Sequence, residues 1–314
     1  MFDVVVVGGG PAGMAAALAL GRVHRSVLLV DAGEGRNAPA DAVHNFLTRD
    51  GTPPAELREI GRRELAAYRS VEVRTGSVTN AGGSSESGFR LELSSGGAVD
   101  ARRLLLATGL ADDLSGPRGV EALWGRSAFH CPYCHGHECA GRRVAVLGAG
   151  PTRVRLALQL SRITAGVVLC TGGEPLDAAS HAVLVSNGVA VRCEAVTRLE
   201  GTGGRLEQIV FDGGPPLARD AVFVVNVPRQ RSGLAVRLGC AVLPDGCVEV
   251  DELGRTSVPG VSAAGDMARR ASMPVPVAAV VGAAASGTVA ASALDQDLLS
   301  DDFGLPNPFA TAKG

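Results

Sequence analysis

A short, wholly apolar run, Val4 to Val7, opens directly onto Gly8-Gly9-Gly10-Pro11-Ala12-Gly13, and this junction restricts the fold more than any other feature of the chain. A β-branched run bounded by glycines suits a central parallel strand covered on both faces. Met14 to Leu20 then reads as helix, and a second strand, Ser26 to Val30, ends at Asp31, eighteen residues beyond Gly13. Each residue type has a mechanical reason. Gly8 permits a tight turn, Gly10 lets backbone approach a pyrophosphate, and Gly13 lets helix and strand pack closely. The helix opening at Pro11 and Ala12 attracts the anion with its N-terminal amides. Asp31 stands where an acid binds ribose hydroxyls. A glycine-rich turn without a ligand is the competing reading, and the order strand, turn, helix, strand, acid weighs against it.

A second unit of similar layout follows: strand Val144 to Leu147, then Gly148-Ala149-Gly150-Pro151-Thr152-Arg153, a helix through Ile163 and a strand Val167 to Cys170. Between the two, Leu104 to Ala107 reads as another buried strand, closed by Thr108-Gly109. Near the end, Val261 to Ala263 forms a short apolar strand before Ala264-Gly265-Asp266 and a long Ala-rich helix. Asn80 to Ser87 is Gly/Ser-rich and reads as a hairpin tip. With 314 residues the chain has the length of two domains.

Composition removes several function classes. The formal charge is −2 and the basic residues are scattered arginines, with Lys313 the only lysine, so no basic stripe exists for nucleic acid. The N-terminus has no basic segment or cleavage site, which points to the cytoplasm. Ala271 to Leu294 is uncharged and long, yet rich in Ala and Gly with Pro274 and Pro276 at its start, and so reads as a buried helix and not a membrane span. The seven cysteines are an odd count, and the close pair Cys131 and Cys134 is the candidate for redox catalysis or metal binding.

In order and spacing, Gly8-x-Gly10-x-x-Gly13, Ala107-Thr108-Gly109, Cys131-Pro132-Tyr133-Cys134 and Ala264-Gly265-Asp266 resemble the low-molecular-weight thioredoxin-reductase-like flavoproteins over essentially the whole chain. The resemblance implies an α/β architecture of two Rossmann-like nucleotide-binding domains, the second inserted into the first. Residues 1–113 and 249–314 would bind FAD, and residues 114–248 would form a central domain carrying the cysteine pair. It further implies that Gly265 and Asp266 meet the ribitol or diphosphate side of FAD. A helix beginning near Pro276 and Val277 would then aim its amides at the flavin pyrimidine edge. His44-Asn45-Phe46 falls where that domain approaches the flavin, making Asn45 a candidate contact.

Two departures from the reductase pattern matter. The central unit has Arg153 where close packing wants Gly or Ala, and Cys170-Thr171-Gly172-Gly173-Glu174 offers no arginine pair for a 2′-phosphate, so the domain reads as a degenerate NADPH fold. Arg153 contacting a phosphate itself is the alternative. The cysteine segment reads His130-Cys131-Pro132-Tyr133-Cys134-His135, with histidine where reductases carry an aspartate. In this it resembles the dithiol oxidases of the gliotoxin and holomycin type, which use FAD and dioxygen and form disulfides in small-molecule dithiols. That resemblance implies attack of a substrate thiolate at Cys131, with Cys134 the flavin-facing member and H2O2 the product of oxygen. His135, an imidazole expected to titrate near neutrality, would be the base, with His130 in reserve. The family also implies a homodimer. Zinc binding by Cys131, Cys134, Cys139 and the neighbouring histidines is the bland competitor, weakened by the lack of a second half-site. An NADPH- or ferredoxin-dependent disulfide reductase and a non-catalytic redox sensor are the other functional readings.

Overall fold

The computed structural model describes residues 1–309, so Lys313 and the end of the expected 249–314 segment lie outside the described residues. The chain forms two compact units. The first comprises Met1–Arg36, Ala55–Ala111 and the chain from Arg229 onward, and the second comprises Asn37–Pro54 and Asp112–Pro228.

In the first unit, β1 (Phe2–Val7), α1 (Pro11–Arg22), β2 (Val27–Asp31), α2 (Pro54–Leu65), β3 (Val71–Thr75), β4 (Val78–Ser84), β5 (Gly88–Leu93) and β6 (Ala98–Leu106) follow in order. The sheet runs β3-β2-β1-β6-β5-β4, and the late strand Val261–Ala263 pairs in parallel with β6. β1 sits between β2 and β6, with Val4 opposite both Val27 and Arg103. Alternation along β1 explains its uniform apolarity. Val4 and Val6 face α1 and the long C-terminal helix through Ala16, Leu20, Leu294 and Leu298. Val5 and Val7 face Phe89, Leu91 and Leu106 on the other side. The expected hairpin is present, but Asn80 to Ser84 are strand residues and its tip is confined to residues 85–87.

The expected long helix also exists, displaced. It spans Val280–Phe303, beginning after Pro276 and Val277 and not at them. Pro274 and Pro276 disfavour helix for the residues before them and lack amide donors. Ala279, the residue before the helix, is still extended at φ −145° and ψ 144°. This helix packs on α1 through Gly287, where a Cβ would lie 2.0 Å from the Ala12 carbonyl oxygen. Among the described residues no helix is long and apolar enough to cross a membrane.

The second unit holds a five-stranded parallel sheet in the order Ala190–Arg192, Gly166–Cys170, Arg143–Leu147, Ala221–Phe223, Ala128–Phe129. The helix Pro151–Ser161 covers one face through Val154, Leu156, Ala157 and Leu160. Asn37–Pro54 groups here and not with residues 1–113, because its loop packs onto this unit. A Cβ on Gly125 would lie 2.8 Å from the Pro39 carbonyl carbon, and Asn45 bonds to Tyr133. Residues 229–248 group with the first unit, where Gln230 donates to the Gly246 and Met267 carbonyls.

Candidate active site

At the carboxyl end of β1 the glycines divide by role. Gly8 adopts φ +112°, and a Cβ there would sit 2.2 Å from the Ala107 carbonyl oxygen. On Gly13 a Cβ would lie 1.8 Å from the Gly8 carbonyl oxygen, so helix and turn are in direct backbone contact. Gly10, by contrast, would present a Cβ to nothing within 4 Å. It precedes α1 without a side-chain cap, so the first-turn amides beyond Pro11 are not taken by its side chain. Gly9 was missed by motif reasoning: its Cβ would collide with the Asp31 carboxylate carbon at 2.2 Å. Asp31 is nearly buried and accepts from Gly33 N at 2.9 Å and from Arg62 Nη2 at 2.5 Å. A carboxylate has about four acceptor sites, so ribose hydroxyls can still be accommodated.

Nearby, Thr108 donates through its amide and hydroxyl to Met267 Sδ at 3.2 and 3.3 Å, and Gly109 turns the chain at φ +68°. Gly265 has φ +78° and its amide donates to Ser286 Oγ. Asp266 pairs with Arg36 at 2.9 Å, a partner that no sequence spacing announces. Bare backbone at Gly10, uncapped amides at α1 and a carboxylate over Gly9 fit the ADP half of FAD.

In the second unit, Cys131 and Cys134 form a disulfide with Cα atoms 5.3 Å apart, inside the range such a bridge requires. Cys131 is extended, Pro132 starts a single helical turn, Pro132–His135, and the turn ends at Gly136. A Cβ on Gly136 would lie 2.4 Å from the Pro132 carbonyl oxygen. His135 stacks on Phe129 with centroids 4.3 Å apart. Burial pushes its pKa below the ordinary 6.5, and its Nδ1 is buried without a hydrogen-bond partner. The expectation of titration near neutrality is therefore corrected downward: desolvation disfavours the imidazolium. His130 stacks on Trp124 at 5.5 Å, and His137 is exposed. His44 lies 3.4 Å from Glu138 Oε1 and 3.5 Å from Asp50 Oδ2, a grouping the sequence did not reveal.

Cys139, Cys170 and Cys247 are buried thiols, whereas Cys193 is exposed. Burial raises Cys139 and Cys247 to about 11 and Cys170 to about 12, values that leave them protonated and unreactive. Among the described residues no group of three His, Cys, Asp or Glu side chains is arranged to hold a metal ion.

The second nucleotide fold repeats the glycine turn of the first. Gly148 and Gly150 adopt φ +96° and +87°. A Cβ on Gly148 would meet Val225 Cγ2 at 3.1 Å and the Arg153 side chain at 3.6 Å, so Arg153 lies back over the turn. Its guanidinium is half-buried and its pKa is depressed by that burial. After the strand Gly166–Cys170, Thr171 is buried and Glu174 exposed. Arg192 is committed to Glu194 at 2.6 Å and to the Phe211 ring at 3.7 Å. Neither Thr171 nor Glu174 offers a cation to a 2′-phosphate, whereas Gly150, open to 4 Å, and the uncapped start of the helix Pro151–Ser161 leave the turn itself accessible.

An FAD-type nucleotide fold in one unit, with vicinal cysteines on a second nucleotide fold, defines the class of flavin-dependent disulfide oxidoreductases. The chain belongs to the pyridine nucleotide-disulphide oxidoreductase family, whose model matches residues 2–282. The family and its thioredoxin reductase members are FAD-binding flavoproteins, and FAD is the cofactor of this chain. Thioredoxin reductase tcpT of Claviceps purpurea (strain 20.1) is 33% identical over 275 residues, covering 84% of this chain and 86% of that relative. The crystal structure of HlmI is 39% identical with a TM-score of 0.88, covering 96% of this chain and 94% of HlmI. An oxidoreductase from Agrobacterium tumefaciens is 35% identical with a TM-score of 0.87, covering 95% and 98%. The thioredoxin-reductase-like resemblance and the paired Rossmann-like fold therefore hold.

Proposed function

We propose that the protein is an FAD-dependent dithiol oxidase that closes an intramolecular disulfide in a small secondary-metabolite dithiol and returns dioxygen as hydrogen peroxide. The observation that carries this reading is the second nucleotide fold. Arg153 lies over Gly148, and Arg192 is committed to Glu194 and the Phe211 ring, so an alternative electron source is favoured over NADPH.

The residues perform the first half-reaction. Neutral His135 accepts the proton of one substrate thiol, and the thiolate attacks Cys131 Sγ. The Cys131–Cys134 bond breaks, and Cys134 leaves as thiolate. The second substrate thiol then attacks the substrate sulfur of the mixed disulfide, and Cys131 departs. The substrate has lost two electrons and the enzyme dithiol has gained them. FAD, when bound, takes up that pair and passes it to dioxygen. Gly8 and Gly13 would shape the turn so that Gly10 and the α1 amides hold its pyrophosphate, Asp31 would hold its ribose, and Thr108, Gly109, Gly265 and Asp266 its flavin half.

The second reading, a disulfide reductase, is favoured by the name of the tcpT relative. Anaerobic stopped-flow mixing separates the two. A small dithiol bleaches the flavin within the turnover time, whereas millimolar NADPH leaves it yellow. Rapid bleaching by NADPH refutes the oxidase reading.

A further inference from the structure

The helical turn that carries both sulfurs is a single turn, too short to hold its own shape. Inside the segment it is braced by the amides of Cys134 and His135, which donate to the Cys131 carbonyl, and by Gly136 N, which donates to the Pro132 carbonyl. The Tyr133 carbonyl, between the cysteines, belongs to the carbonyls that a helix end leaves without an intrahelical donor, because the chain changes to a 3₁₀ turn at His137–Cys139. It is satisfied from elsewhere: Asn45 Nδ2 donates to Tyr133 O at 2.6 Å.

Asn45 is itself held in an uncommon state. It adopts φ +61°, in the left-handed region. Its amide donates to Asp50 Oδ1 at 2.8 Å, and Val43 and Thr52 close the loop as an antiparallel bridge in which Val43 N donates to Thr52 O. Asparagine tolerates this region better than most residues, and here its backbone amide holds the loop while its side-chain amide holds the redox turn.

We propose that Asn45 is a positioning residue for the Cys131–Cys134 couple, keeping the turn in the geometry that closes the disulfide. It touches neither sulfur. By restraining the turn it raises the effective concentration of one thiol at the other, and so favours the oxidised pair. The role rests on the redox activity of the pair and is independent of whether dioxygen or NADPH serves the enzyme.

The test uses the FAD-loaded protein, anaerobically, in glutathione buffers. One enzyme disulfide plus two glutathione thiols exchange with one enzyme dithiol plus glutathione disulfide. The ratio is read by acid quench, alkylation and intact mass. Asn45→Gly tolerates the positive φ and removes the donor while loosening the loop backbone. The equilibrium constant for the oxidised pair is expected to fall about fivefold, the worth of one neutral hydrogen bond. Asp50→Ala, at an exposed position, frees the loop and is expected to give a smaller fall of the same sign, so the test survives if one variant does not fold. Constants within 1.5-fold of wild type in the folded variants, or a rise, overturn the role of Asn45. A wild-type pair that never exchanges with glutathione overturns the disulfide chemistry, and this proposal with it.

Discussion

Two glycine substitutions three residues apart separate the structural from the ligand-facing part of the nucleotide turn. In Gly13→Ala the new Cβ would start 1.8 Å from the Gly8 carbonyl oxygen, and ordinary contact begins near 3.4 Å, so α1 must withdraw by about 1.6 Å. Both partners are backbone, and no side chain can rotate away. Alanine returns up to about 1 kcal/mol of helix propensity, against about 3 kcal/mol for forced overpacking at the upper end of its range. The net is a loss of about 2 kcal/mol, or about 4–8 °C in the melting of the apoprotein. FAD affinity falls as well, by at least about tenfold, because hydrogen bonds to a charged phosphate are each worth about 1.5–3 kcal/mol. Gly10→Ala should behave differently. Gly10 sits at φ −75° and ψ −177°, extended backbone open to alanine, and its Cβ meets no protein atom within 4 Å. Its apoprotein should melt like wild type while FAD is lost, since the methyl occupies space the pyrophosphate needs. The assay is apoprotein melting by circular dichroism alongside FAD titration by flavin fluorescence. Wild-type melting of Gly13→Ala, or full FAD retention by Gly10→Ala, refutes the assignment of contacts in this turn.

Cys131→Ser and Cys134→Ser are each expected to abolish dithiol-driven oxygen uptake on an electrode, while the flavin absorbance is retained; uptake by either removes that cysteine from the mechanism. His135 has its pKa lowered in the folded state by burial, so the unfolded chain binds its proton first on acidification. The stability this contributes is complete above the unfolded value of 6.5 and is lost as pH falls from there through the folded pKa; His135→Asn should flatten that segment of a urea-midpoint against pH plot. For the same reason the acid limb of kcat/KM should lie below pH 6.5. Asp302, held below its usual range by hydrogen bonds from Arg25 and Arg102, contributes stability above the ordinary carboxylate pKa that fades in acid. Asp302→Ala should cost about 1 kcal/mol in urea denaturation at pH 7.

The parts legible in the sequence are those in which local and global demands coincide. β1 is apolar because both its faces are covered, and Gly8, Gly10 and Gly13 are spaced by one turn-to-helix junction, so neither needs distant information. The same holds for the vicinal cysteines, whose linkage follows from one helical turn. What escaped reading depends on long-range approach. The Arg36 to Asp266 pair joins residues 230 positions apart, and Arg62 reaches Asp31 from another helix. The loop Asn37–Pro54 carries no apolar period to show that it packs beside Tyr133. Burial of His135 against Phe129 likewise arises from the fold, since alternation around the cysteines contains no cue to it. The C-terminal helix starts late because Pro274 and Pro276 outweigh the helix propensity of the alanine-rich run that follows them.

The discontinuity of the first unit has a consequence for how the protein is made. Its sheet is finished only when Val261–Ala263 lies beside β6, and α1 gains its helical neighbour only with Val280–Phe303. Residues 112–228 are complete in sequence well before either appears at the ribosome. Synthesis therefore delivers the sulfur-bearing unit before the sheet of the first unit is finished. FAD loading waits for that sheet, and truncation before Val261 should yield a colourless chain whose thiols are already housed.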